Sequence, residues 1–233
     1  MYKAIIFDLD NTLMSFERSV VTALHHVRTS HSLYTDEADW KAFQHRYAEH
    51  SMKRWIDHVN GSGLGSIKEV MEVTFEDALT AEHKQNHREV GHAYWGHFCS
   101  SKEFEEGAEV LLSGLYGRVK LGMISNGVGE AQRGRLQSGG VLHMFESLVI
   151  SDEVGVRKPD RTIFELSLKE LAMSPEEVLY VGDSITDDYV GSVNAGIDFC
   201  YYNPGQKAIH NDVVPAYTIN RLVDLLDVAT RSR

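Results

Sequence analysis

The chain has 233 residues, 42% of them hydrophobic and 24% charged, enough for one large domain or two modest ones with real cores. Its net charge of −11 argues against a nucleic-acid polymer as partner, because such binding rests on Lys and Arg contacts to phosphates. No apolar run is long enough to cross a membrane, and two cysteines, Cys99 and Cys200, support neither a disulfide framework nor a thiolate metal site.

The first element is a strand. "IIF", residues 5–7, is a continuous apolar run of the kind covered on both faces, and it runs straight into Asp8 and Asp10. Side chains alternate along an extended backbone, so the two carboxylates are expected on one side. Held that close they repel, unless a cation sits between them or one keeps its proton. A strand that starts directly after Met1, Tyr2 and Lys3 leaves no room for a signal peptide, and a cytoplasmic location is expected.

Residues 15–99 carry helical periodicity and no convincing strand. "DWKAFQHRYAEHSMKRWIDHV" sets Trp40, Phe43, Tyr47 and Trp55 near one stripe, read as core rather than as a ligand pocket. "SIKEVMEVTFEDAL" does the same with Ile67, Val70, Met71, Phe75 and Leu79, and "NGSGLGS" separates the two. Ten of the twelve histidines lie in this segment. His83 and His87 are spaced as zinc ligands on a helix face would be, but no third ligand is evident.

Beyond residue 100 short apolar runs alternate with helical patterns. "RVKLGMIS", "SLVIS", "EVLYVGD" and "DFCYYN" read as strands, with Cys200 a packing residue in the last. "DRTIFELSLKELA" reads as an amphipathic helix with Ile163, Phe164, Leu166, Leu168 and Leu171 to one side. This alternation implies βα units and a parallel, Rossmann-like α/β sheet, whose ligand sites form at the carboxyl ends of strands. Polar clusters follow the strands in that way: Asp8 and Asp10, Ser125-Asn126-Gly127, Asp152 and Glu153, and Gly182-Asp183-Ser184. The arginines of "GVGEAQRGRLQSGG" are expected on the surface of a helix packed on the sheet.

"DLDNT", "SNG", "KPD" and "GDSITDD", in that order at strand ends, resemble the haloacid-dehalogenase-like superfamily of phosphohydrolases. Each motif alone has an ordinary explanation, as a surface carboxylate pair, a turn, a solvated lysine or a helix cap. The four in order do not. The resemblance implies a discontinuous catalytic core, residues 1–14 and 100–233, with 15–99 inserted as a helical cap. It makes Asp8 the nucleophile that forms an aspartyl phosphate, and Asp10 the acid and then the base. Asp183, an oxygen of Asp8 and the carbonyl of Asp10 would bind Mg²⁺, with Asp188 acting through water. The family spacing favours Asp188 over Asp187 for that place. Lys158, Ser125 and the backbone of Asn126 would hold the phosphoryl oxygens. With Asp10 protonated, three carboxylates against one ammonium leave a formal charge of −2, which one Mg²⁺ cancels.

A dehalogenase has no use for an acid at position 10, since halide leaves without a proton, so Asp10 favours a phosphatase. A receiver-type phospho-aspartate domain shares the sheet, the metal and the lysine but needs neither cap nor acid. Within the phosphatases, "SDEVGVRKPDRTIFELSL" and the placement of the cap resemble the branch that contains pyrimidine 5′-nucleotidases. The expected substrate is a small phosphorylated metabolite such as a nucleoside 5′-monophosphate. Sugar phosphates, phosphoglycolate and a phosphomutase reaction are the alternatives. No exposed heptad or obvious apolar patch can be read from the sequence, which leaves the oligomeric state open, with a monomer favoured.

Overall fold

The computed structural model describes residues 2–59, 61–63 and 65–230. They divide into two compact units, one made of residues up to Glu17 and from Lys102 onward, the other of Arg18–Ser101.

In the first unit, the described residues form a six-stranded parallel sheet in the order β3-β2-β1-β4-β5-β6. The strands are β1 (Ala4–Phe7), β2 (Lys120–Ser125), β3 (Ser147–Ile150), β4 (Val178–Gly182), β5 (Asp198–Tyr202) and β6 (Tyr217–Ile219). Five of them fall on the apolar runs legible in the sequence. The sixth is three residues long, at the edge, and beyond Pro215, too short to give an alternation signal.

Alternation of side chains divides the inner strands between two cores. Ile5, Phe7, Leu121, Met123, Leu179 and Val181 pack into one, and Ala4, Ile6, Ile124, Val178 and Tyr180 into the other. Each full burial of such a side chain is worth about 2 kcal/mol, and a one-residue slip of register would exchange the faces. This is why the register at β1 is firmly set.

In the second unit lie α1 (Phe16–Ser30, which starts two residues before it), α2 (Glu37–Val59), α3 (Ile67–Ala78) and α4 (His87–Cys99). Ser66 caps α3 by accepting from the N–H of Glu69. Trp40, Phe43, Tyr47, Phe75, Tyr94 and Phe98 form a continuous buried aromatic cluster, so the stripe is core, while Trp55 is only half-buried and meets the Trp95 ring at a tilt of 50°. The remaining helices belong to the first unit: α5 (Ala108–Leu115), α6 (Gly129–Ser138), α7 (Ser151–Val154), α8 (Arg161–Leu171), α9 (Val190–Asn194) and α10 (Leu225–Thr230). Ile163, Phe164, Leu168 and Leu171 of α8 are buried against the sheet, and Leu166 is partly buried. Among the described residues, no helix is long and apolar enough to cross a membrane.

Candidate active site

The site grows from the carboxyl end of β1. The N–H of Asp8 still donates to the Val181 carbonyl at 2.9 Å, and then the chain turns sharply. Asn11 takes a left-handed φ of 61°, which an Asn side chain tolerates, and the N–H groups of Leu13 and Met14 both donate to the Leu9 carbonyl. The turn leaves Asp8 buried and Asp10 partly exposed.

Lys158 reaches Asp8 from the loop ahead of α8. Its buried ammonium donates to Asp8 Oδ1 at 2.5 Å, Asp188 Oδ1 at 2.7 Å and the Tyr180 hydroxyl at 3.1 Å, so all three donors have acceptors. Asn126 fixes the lysine backbone from both sides: its Nδ2 donates to the Lys158 carbonyl, and its Oδ1 accepts from the Lys158 N–H at 2.8 Å. The side chain thus has a positioning part that the sequence, which suggested only the backbone of Asn126, did not reveal.

Asp183 and Asp188 come from the carboxyl end of β4. Ser184, rather than Asp183, caps the following π-turn, Ile185–Tyr189. That turn buries Asp188 completely; its Oδ2 accepts from the Ser184 N–H at 3.0 Å, and its Oδ1 accepts from Tyr180. A Cβ on Gly182 would lie 2.3 Å from Asp188 Oδ2, so only glycine leaves room for this carboxylate.

Among the described residues, Asp8, Asp183 and Asp188 each offer an oxygen within 4.8 Å of the others, and Asp187 is outside the group. Burial pushes the Asp8 carboxyl well above its ordinary range; Lys158 opposes this, and Asp188 and Asp183 add to it. Burial, with Asp188 beside it, likewise raises Asp183 to about 6. The Lys158 ammonium is itself penalised by burial, but Asp188 and Asp8 hold its proton firmly. Three carboxylates, two buried and Asp183 half-buried, against one ammonium make a site with surplus negative charge and hard oxygen donors. A divalent cation of the Mg²⁺ class fits that donor set.

Asp10 is separated from this group by its own partners. Gln132 Nε2 donates to Asp10 Oδ2 at 2.6 Å and to Ser125 Oγ at 2.7 Å, and Arg135 Nη1 donates to Asp10 Oδ1 at 2.5 Å. The expectation that both arginines of this helix lie on the surface is corrected here. Arg133 does, in a bidentate pair with Glu153, but Arg135 is fully buried. The reason is periodicity: Ala131, Gln132, Arg135 and Leu136 share the inner face of α6. Polar residues at buried helical positions were the available signal.

Ser125 Oγ accepts from Gln132 and from the Gly127 N–H, which leaves its own hydrogen to donate to an incoming oxygen. Asp152 and Glu153, grouped in the sequence with the other strand-end clusters, serve α6 instead. Asp152 accepts from the Gly129 N–H at its start, and Glu153 holds Arg133. His83 precedes a short 3₁₀ turn and packs edge-on against Tyr34, while His87 opens α4 and bonds the Lys84 carbonyl. Among the described residues, they join no metal-binding group. Cys200 is buried, and its thiol is pushed up to about 12, as an inert packing residue's would be.

The fold and the site together define an α/β protein with a carboxylate-rich centre at the carboxyl ends of its inner strands. The chain belongs to the haloacid dehalogenase-like hydrolases, whose family model matches residues 5–202. It is 30% identical, over 95% of both chains, to pyrimidine 5′-nucleotidase YjjG of Escherichia coli. It is 28% identical to pyrimidine 5′-nucleotidase PynA of Streptococcus pneumoniae, over 97% of this chain and 94% of that one. Among solved structures, the HAD-hydrolase YfnB of Bacillus subtilis, bound to magnesium, matches over 99% of both chains at a TM-score of 0.77 and 24% identity. Family membership sets aside the receiver-type reading.

Proposed function

We propose that this protein is a metal-dependent phosphatase of small phosphate monoesters, with nucleoside 5′-monophosphates as its substrate class. The observation that carries the reading is the cluster of Asp8, Asp183 and Asp188, two of them bonded to the buried Lys158, with a second, separately held aspartate two residues from the first. The two nucleotidases similar along almost the whole chain support the nucleotide class. A cleft of about 300 Å³, lined by Asp183, Tyr201, Tyr202, Asn203 and Lys207 among others, offers room and an aromatic wall next to the acidic centre.

In this reading an Asp8 oxygen attacks phosphorus and the bond to the leaving oxygen breaks, while Asp10 gives that oxygen a proton. Water then attacks the aspartyl phosphate, Asp10 takes its proton, and Asp8 and inorganic phosphate are released. Lys158 and the Ser125 hydroxyl stabilise charge on the transferring group. Asp8 and Asp183, with the Asp10 carbonyl, would hold Mg²⁺, and Asp188 would act through water. The ion supplies positive charge that makes a phosphate dianion tolerable here.

The test is a phosphate-release screen over nucleoside monophosphates, sugar phosphates and phosphoglycolate, with Mg²⁺ and then with a chelator. Nucleoside 5′-monophosphates should be hydrolysed best, and chelation should abolish release. Undiminished turnover after exhaustive chelation would overturn the metal role. A sugar phosphate hydrolysed best would overturn the substrate class and leave the phosphatase reading standing.

A further inference from the structure

We infer that Gln132 and Arg135 are positioning residues for proton transfer to the leaving group: together they hold the Asp10 carboxylate at a fixed rotation and tie it to Ser125. The inference rests on the reading of Asp10 as the acid and base of a phosphatase. Arg is rarely buried completely without a reason, and Arg135 is 0% exposed and Gln132 2%. Burying both is costly unless hydrogen bonds compensate, and one bond from each meets at the Asp10 carboxylate.

The geometry is specific. Each Asp10 oxygen has its own donor, Gln132 Nε2 for Oδ2 and Arg135 Nη1 for Oδ1, which fixes the plane of the carboxylate. The Gln132 amide cannot be turned over without loss, because its Oε1 accepts from Arg135 Nη1 at 3.1 Å. The same Nε2 bonds Ser125 Oγ, so the proton-transfer group and a phosphoryl-binding group share one anchor. Gly127 makes the arrangement possible, since a Cβ there would lie 2.2 Å from Gln132 Nε2.

Helix α6 is itself pinned at its start through Gly129–Asp152 and Arg133–Glu153. The Asp10 side chain, 26% exposed against 0% for Arg135, is held from behind with a face left open. A buried ion pair serving stability alone would not need an amide bridging to Ser125.

The experiment compares leaving groups. Gln132→Met and Arg135→Met are tested on a nucleoside 5′-monophosphate, whose alkoxide needs a proton to leave, and on 4-nitrophenyl phosphate, whose phenoxide needs little. Folding is checked by circular dichroism and thermal unfolding, and Gln132→Met, the milder change, keeps the test decisive if Arg135→Met does not fold. Nucleotide kcat should fall by roughly tenfold or more, a fraction of what a positioned acid contributes, with KM changed little. The burst of nitrophenol on rapid mixing should stay within about twofold of wild type for Arg135→Met. For Gln132→Met, which also releases Ser125, it should fall by less than nucleotide kcat does, and in both a slowed steady state should follow from the impaired base step. Arg135→Lys should recover part of the nucleotide rate. Combined with Asp10→Asn, Arg135→Met should cost nothing further, and Gln132→Met only the part that acts through Ser125.

If nucleotide turnover and the aryl burst fell in equal proportion, the pair would be structural and the inference overturned. Losses that add fully to that of Asp10→Asn would overturn it too. Should Asp10→Asn alone retain nucleotide turnover, the underlying assignment of Asp10 would fail instead, so the two failures are distinguishable.

Discussion

Two carboxylates two positions apart repel unless cations offset their charge, and here Lys158, shared with Asp188, faces Asp8 while Arg135 faces Asp10. Arg135 offsets the charge of Asp10 once Asp10 has given up its proton in the first step, and what remains is Asp8, Asp183 and Asp188 against one ammonium. Asp8→Asn is nearly isosteric but cannot form an acyl phosphate, so turnover should vanish with folding intact. More than a few per cent of wild-type phosphate release in contamination-free protein would refute the nucleophile. Asp183 offers a test without turnover. Its folded-state value of about 6 lies above the ordinary 3.8, so the metal-free folded protein binds a proton there more tightly than the unfolded chain does. Stability from this group is present below about pH 4, declines through pH 4 to 6, and is lost above, by roughly 2–3 kcal/mol. Asp183→Asn should therefore unfold at a higher temperature than wild type at pH 7 in chelator, with a flatter pH dependence between 4 and 6. Added Mg²⁺ should stabilise wild type much more than the variant. An unchanged pH slope in unfolding scans would count against the charge crowding.

At the scale of elements, the turn after β4 shows how a backbone requirement becomes a functional one. A methyl group at position 182 would overlap the side chain of Asp188, so Gly182→Ala must displace the π-turn or the end of β4. The expected cost is about 1–3 kcal/mol of stability, and of order a hundredfold in kcat from ångström-scale misplacement. Denaturant unfolding and steady-state kinetics would measure both, and wild-type rates would show that Asp188 needs no such fixed place. Gly182 and its neighbours were legible in the sequence because strands covered on both faces leave apolar runs, and carboxylates at the ends of such runs stand out. Asp8, Asp183 and Asp188 come together for that reason. Tyr180, Gln132 and Arg135 were not legible. Tyr180 reads as one more apolar strand residue, and an isolated Gln or Arg in a polar helix looks solvated until the helix phase is known. β6 escaped because three residues carry too little pattern.

For the whole molecule, the manner of insertion decides what can be exchanged. The chain leaves the sheet-bearing unit and re-enters it through a paired stem: the Ser15 N–H donates to the Glu103 carbonyl and the Glu105 N–H to the Leu13 carbonyl, at 2.7 and 2.9 Å. Within the helical unit the two ends meet again, where the buried Ser101 hydroxyl donates to Ser19 Oγ at 2.8 Å. Among the described residues, the cores packed on the two faces of the sheet take none from 18–101, and the helical unit has its own aromatic core. A segment with adjacent ends and its own core can be replaced without rebuilding what it leaves. Exchanging 18–101 for the corresponding helices of a relative with another substrate should therefore give a folded protein. Asp8, Lys158 and Asp183 would be untouched, so hydrolysis of a small aryl phosphate should stay within about tenfold of wild type, because the groups that carry the chemistry keep their places. The rank order among nucleotides and sugar phosphates should change to that of the donor, read as kcat/KM across the panel. A folded chimera that kept the original rank order would place selectivity in the sheet-bearing unit instead, where the cleft from Tyr201 to Lys207 beside Asp183 is the next segment to exchange.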